Sequence, residues 1–249
     1  MTPRTTFAVA RRVLAQLRRD PRTVALMLLV PCLLLTLLWW VFGEVGDGTT
    51  FQRLGPALIA IMPFVVMFVV TSVTMLRERT AGTLERLLAM PTGRGDLLLG
   101  YAVAFLTVCV VQAGLVIALS VGLLGLDVGG PLWALVVVAL VDAFLGTALG
   151  LSVSAFARTE FQAVQFMPAL IFPQMLLCGL FVPRDAMPRA AELVSDVLPM
   201  SYAVDAMNGV RSGTSGAVAE GTWADLAVVG GFAVVVLLLG TLTLRRRTD

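Results

Sequence analysis

The chain reads as an all-α polytopic membrane protein with six transmembrane helices, on three observations. It is 58% hydrophobic, with a mean hydropathy of +0.93, and only 14% of its 249 residues are charged. Several of its apolar runs exceed the roughly 18–20 residues that a spanning helix needs. Its arginines gather between alternate runs, as they do in a chain threaded through a bilayer.

Composition excludes several chemistries. All 18 basic residues are Arg, and the chain contains neither Lys nor His. A Walker A loop requires Lys, so the chain carries no P-loop ATPase of its own. Sites and triads that depend on His are excluded as well. Cys32, Cys109 and Cys178 lie singly inside apolar runs; they read as small buried residues rather than as a disulfide framework or metal ligands. No metal site is expected.

Residues 1–22 read as an amphipathic helix. Phe7, Ala10, Leu14 and Leu17 recur at intervals of three and four, and Arg11, Arg12, Arg18, Arg19 and Arg22 crowd the rest of its surface. Such a helix lies in the headgroup plane with its Arg on anionic lipid. The basic region is too long and the apolar run after it too extended for a cleavable signal. Asp20-Pro21 supplies an N-cap and first position for the next helix.

Six spans follow, near 23–43, 54–76, 97–125, 131–157, 161–182 and 226–244. The third and fourth exceed the bilayer thickness, so tilt, a kink or an extension is expected. Pro31, Pro63, Pro168 and Pro173 mark kinks. Trp39 and Trp40 suit the outer interface. With both termini on one side, that side holds fourteen Arg and the other four, which places both termini in the cytoplasm.

The outer connection from Pro183 to about Asp225 is the long one. Pro188 opens a short helix with Leu193, Val194, Val197 and Leu198 on one face, and Pro199 ends it. A second helix from about Ser201 to Val210 brings Tyr202, Asp205 and Met207 near one another. Both are too short and too polar to cross, so a re-entrant or interfacial hairpin is expected, with Pro199, Tyr202 and Asp205 its marked residues.

Within the spans, Asp142 is the one deep acid. Ionised at mid-bilayer it would cost about 2.5–3.5 kcal/mol, so it should face the bundle, a wet cavity or a partner. It is read either as a proton-relay carboxylate or as a group held by one local hydrogen bond. Gly146-x-x-x-Gly150, with Ser154 one turn on, suits close helix contact within the subunit or at a seam with a second copy.

The decisive stretch is RERTAGTLERLLAMPTGRGD, Arg77 to Asp96, in which seven of twenty residues are charged. Thr83 reads as a helix cap with Glu85 in the first turn. Leu84, Leu87 and Leu88 form a narrow apolar stripe, and Met90-Pro91 stops the helix. Two turns are not stable alone, so the helix must rest on its own domain, on headgroups or in a groove of a cytoplasmic partner.

ERTAGTLERLLAMPTGRGDLLLGY resembles the cytoplasmic loop between spans two and three of type 2 ABC exporter permeases, with its GTLE-x-LL-x-x-P core. VPRDAMPRAAELVSDVLPMSYAVDAMNGV, residues 182–210, is similar to the stretch before that family's last span, although Asn208-Gly209 departs from it. The match covers essentially the whole chain and lies nearest the daunorubicin and multidrug-resistance members. The resemblance implies a single transmembrane domain over 1–249 in a bacterial cell membrane, exporting a drug-like, antibiotic or lipid-like substrate. It implies two permeases, identical or homologous, and two separate ATPase subunits that bind the ATP and Mg. This chain is then no enzyme, binds no cofactor, and has the bilayer but no nucleic acid among its partners. By the same resemblance Leu84, Glu85, Arg86, Leu87 and Leu88 form the ATPase-coupling helix, and the arginines from Arg11 to Arg22 belong to the elbow helix. A proton-coupled secondary transporter using Asp142 is the alternative, though one acid and no evident internal repeat speak for it less strongly. A membrane scaffold without transport is a further one.

Overall fold

The computed structural model describes residues 3–45, 49–83, 94–214 and 216–243. The expected coupling residues Leu84, Glu85, Arg86, Leu87 and Leu88 lie outside the described residues, as does the Met90-Pro91 stop. Among the described residues the chain forms nine α-helices, one 3-10 turn and no strand. The helices are α1 (Pro3–Arg18), α2 (Pro21–Val45), α3 (Thr49–Thr80), α4 (Arg94–Gly122), α5 (Leu132–Val153) and α6 (Glu160–Leu177). After the 3-10 turn at Arg184–Ala186 come α7 (Arg189–Ser195), α8 (Pro199–Arg211) and α9 (Thr222–Thr243).

Five of these, α2, α3, α4, α5 and α9, are long and apolar enough to cross a membrane. The expected fifth span, 161–182, is shorter and more polar than the sequence suggested. It forms α6, 18 residues carrying Glu160, Gln162, Gln165 and Gln174. Its N-cap is Thr159, whose side chain accepts from the Gln162 N–H at 3.1 Å. The chain leaves the helix at Cys178 and turns at Gly179, whose φ of +86° disfavours any side chain.

The other boundaries move for local reasons. α3 is 32 residues rather than 23, because Pro56 falls inside a helix that already starts at Thr49. At its inner end it runs on through Arg77-Glu78-Arg79. Gly82, at φ +68°, follows that end, and the Gly82 N–H donates to the Arg79 carbonyl at 3.3 Å. Thr80 to Gly82 therefore close α3. Asp96 lies in the first turn of α4.

The core centres on α5, which is 67% buried across its span against 17% for α2. Its small-residue stripe faces α3. A Cβ on Gly146 would lie 2.4 Å from the Phe64 carbonyl oxygen, and one on Gly150 2.5 Å from that of Phe68. The stripe is thus a seam inside the subunit. On the other side α9 approaches, with the Ser152 hydroxyl donating to the Val236 carbonyl at 3.2 Å.

α1 packs on α4. Its buried stripe is Val9, Ala10, Val13 and Leu17, and a Cβ on Gly100 would lie 2.6 Å from Val9. Phe7, expected on that face, is exposed, and Leu14 is only half-buried. Asp20 caps α2, accepting from the Thr23 N–H at 3.2 Å and its hydroxyl at 2.6 Å. These bonds hold its carboxyl below the usual range. The cap ends the first helix at Arg18, so Arg19 sits in the turn and Arg22 on α2, not on the amphipathic helix. Trp133 and Trp223 stack at 5.7 Å across the N-terminal ends of α5 and α9. Trp39 and Trp40 lie near the C-terminal end of α2 and are exposed.

Candidate functional site

Three polar clusters stand out in this apolar bundle, one at each face and one midway. The first is built on Arg77-Glu78-Arg79, three consecutive residues at the C-terminal end of α3 that reach three different elements. Arg77 makes a two-pronged bond to Glu160 at the start of α6, at 2.7 and 2.8 Å. Arg79 donates to the Ser154 carbonyl at the end of α5. Glu78 turns to α1, where Arg12 Nη2 donates to both carboxylate oxygens at 3.0 and 3.1 Å and Gln16 Nε2 donates at 3.3 Å. The Thr83 hydroxyl donates to the Glu78 carbonyl at 3.0 Å and also to its carboxylate.

Arg77 and Arg79 complement the negative end of the α3 dipole; Glu78 opposes it. A buried carboxylate at that position has to be held by tertiary partners. In the sequence Glu78 is one of seven charges in Arg77–Asp96, and nothing local links it to Arg12. Of the expected elbow arginines, Arg12 is the one in this network. Arg11, Arg18 and Arg19 are exposed. A cleft of about 490 Å³ lies alongside, between α1 and the inner half of α3, lined by Val13, Leu17, Val69 and Val73 as well as Arg12 and Glu78.

Midway, Asp142 on α5 is fully buried and neither carboxylate oxygen has a hydrogen-bond partner. The single local bond that the sequence left open is not formed. Gln112 on α4, not among the residues marked in the sequence, is also fully buried with both amide atoms unpartnered. The two helices run antiparallel, with Cys109 and Ala143 in one core cluster and Ala113 and Ala139 in the next. Gln112 and Asp142 therefore lie at one level. Each is ten residues from the helix end at the α4–α5 connection, ~15 Å deep at 1.5 Å per residue. The readable signal was a lone Gln inside an apolar run, where any polar group is costly.

The outer cluster centres on Arg184, in the 3-10 turn that follows α6. Its guanidinium donates to Asp196, after α7, and to Asp205 on α8, and lies 5.4 Å from the centre of the Tyr202 ring. The Tyr202 hydroxyl donates to the Asp196 carbonyl at 2.6 Å. The Ser195 hydroxyl bonds the Leu177 carbonyl at 2.8 Å and Ser201 at 2.9 Å, which fastens α7 to the end of α6. Pro199 is buried and occupies the first turn of α8, so it starts one helix as it ends the other. Burial pushes the Asp205 carboxyl above its ordinary value and outweighs the opposing pull of Arg184. Leu193, Val194 and Val197 on the same hairpin are exposed. Of the hairpin residues singled out in the sequence, Tyr202 and Asp205 thus meet around an arginine that was not.

The bundle of apolar helices makes this a multi-pass membrane protein, and the comparison with known families decides which kind. A family model described as "ABC-2 type transporter" matches residues 4–210.

The chain belongs to the ABC-2 type transporter family.

Among curated proteins it is similar to "ABC transporter G family member 20" of Dictyostelium discoideum, 23% identical over 83% of this chain and 28% of that protein. It is similar to "Probable multidrug ABC transporter permease YbhR" of Escherichia coli K12, 28% identical over 60% of this chain and 41% of that one. It also resembles "Linearmycin resistance permease protein LnrN" of Bacillus subtilis, 25% identical over 73% of this chain and 48% of the relative. The matches to this ABC-2 type permease thus span less than half the length of each relative.

Proposed function

We propose that this ABC-2 permease is the membrane-spanning subunit of an ATP-driven exporter for a hydrophobic or amphipathic substrate. Six spans cross a bacterial cell membrane with both termini cytoplasmic, α6 being the fifth. ATP and Mg are bound by a separate ATPase subunit, and two permeases pair with two ATPases.

The observation that carries this reading is the family match over residues 4–210, in a chain with no Lys for a phosphate loop. Supporting it, Thr83 is tied to Glu78 just before Leu84–Leu88, the residues assigned to ATPase coupling. The names of the similar E. coli and B. subtilis proteins, a multidrug permease and an antibiotic-resistance permease, suit the substrate class. So does an apolar groove of about 330 Å³ between α2 and α3, lined by Leu34, Leu38, Val41, Phe42, Leu58 and Met62.

In this mechanism nucleotide-driven closure of the ATPases pushes on residues 83–90. The push passes into the spans, and the hairpin 184–210 shapes or closes the exit on the outer side. Leu84→Asp with Leu87→Asp tests the docking step: it should release the ATPase while the permease stays folded in membranes. Unchanged co-purification would sink that step.

The unpartnered Asp142 favours a second reading, in which export is coupled to protons. Asp142→Asn decides between the two. Export that stays intact across a pH series removes the proton-coupled reading, and export that loses its pH dependence together with its rate supports it.

A further inference from the structure

Glu78 is 7% exposed, sits at the unfavourable end of the α3 dipole, and is held from two directions. Arg12 and Gln16 reach it from α1, 66 and 62 residues away in sequence. Thr83 reaches it from just beyond the end of α3. No local requirement of helix stability places a carboxylate there, since an Arg or Lys at that position would suit the helix end better. The α1 packing does not rest on it alone, because Val9, Ala10, Val13 and Leu17 already bury a stripe of that helix.

We infer that Glu78 is a positioning residue, a latch that makes the amphipathic helix α1 and the inner end of α3 through Thr83 move as one body. The inference rests on the permease reading for its role in transport, and on the bonds above for its existence. The carboxylate is shared, so displacing Thr83 alters the site that Arg12 and Gln16 occupy, and moving α1 does the reverse. Charge-assisted bonds are stronger than neutral ones, and leaving the buried carboxylate unpaired is costly. Separation of the two elements is therefore opposed.

The test uses the full chain in lipid nanodiscs and reads backbone amide exchange. The amides of Ala81 and Gly82 report on the inner end of α3, because both are hydrogen-bonded, to Arg77 and Arg79. Arg12→Gln should speed exchange at Ala81 and Gly82 about tenfold, the factor that one charge-assisted hydrogen bond carries, although the substitution lies on α1. Arg12→Lys should restore most of the protection, and Ala15→Gln, on the exposed side of α1, should leave it at the wild-type level.

Faster exchange confined to α1 after Arg12→Gln would overturn the latch. So would equal effects of Arg12→Gln and Ala15→Gln at Ala81 and Gly82. Exchange in the isolated permease decides the latch whether or not an ATPase co-purifies. Failure to recover an ATPase would count against the permease reading alone.

Discussion

Replacing Gly146 and Gly150 with Ala tests the α3–α5 seam on which the rest of the bundle is hung. The added methyl carbons would sit 2.4 Å from the Phe64 carbonyl oxygen and 2.5 Å from that of Phe68. Both obstructing atoms are backbone, so relief requires the two helices to separate. Overpacking of this kind costs about 1–3 kcal/mol per site, and rigid backbone neighbours put it at the upper end. Ala regains about 1 kcal/mol of helix propensity over Gly. The net expectation is ~2 kcal/mol of destabilisation for each substitution, or about 4–8 °C in Tm for a chain of this size. The assay is thermal unfolding of the purified chain in mild detergent, read by intrinsic fluorescence. Gly114→Ala is the control: a Cβ there meets nothing within 4 Å, so its Tm should hold or rise. A Tm for Gly146→Ala that matches the control would refute the seam. A loss of self-association with no change in Tm would move the stripe to an interface between copies.

Two further perturbations address the outer cluster. Arg184→Gln leaves Asp205 without its counter-charge and should loosen the 184–198 hairpin by about 2 kcal/mol, between the values for exposed and buried pairs. Limited proteolysis from the outer side should then cut this segment faster, with Arg184→Lys intermediate; equal cutting rates would contradict the clasp. The Asp205 carboxyl has a native pKa above its ordinary 3.8, so within that window the folded chain holds the proton more tightly than the unfolded one. Its contribution to stability is present at and below 3.8 and is lost as pH rises through the native value. Asp205→Asn should abolish the fall in Tm with rising pH that sets in above 3.8, and a slope that persists would assign it to another group.

Much of the fold was readable because spanning helices are written in long apolar runs, and the runs leading to α2, α3, α4, α5 and α9 are unambiguous. The end of α6 was not readable. The apolar run continues through Leu180, Phe181 and Val182, and only the left-handed turn at Gly179 diverts those residues from the helix. The stripe on α1 was ambiguous for a different reason. Ala10 and Leu17 belong to two overlapping periodic sets, and the choice between Phe7 with Leu14 and Val9 with Val13 is made by Gly100 on α4. Asp142 declared itself as a lone acid, whereas Gln112 became notable only when the antiparallel register placed it opposite.

The charge density of Arg77–Asp96 drew attention to the region, and the GTLE core carried the resemblance to a family. The division of labour within Arg77-Glu78-Arg79 was hidden, because each side chain's partner comes from a helix distant in sequence. Arg184 was hidden in the same way. The sequence marked Tyr202 and Asp205, and the turn after α6 carries the arginine back onto them.

The central claim is that this chain is the permease of a two-component ATP-driven exporter. The most direct measurement is purification of the tagged chain from its native host in mild detergent, with mass spectrometry of the proteins that accompany it. The account predicts a stoichiometric P-loop ATPase and vanadate-sensitive ATP hydrolysis in the complex. A folded permease recovered alone, with no ATPase and no ATP hydrolysis, would contradict it and turn attention to Asp142.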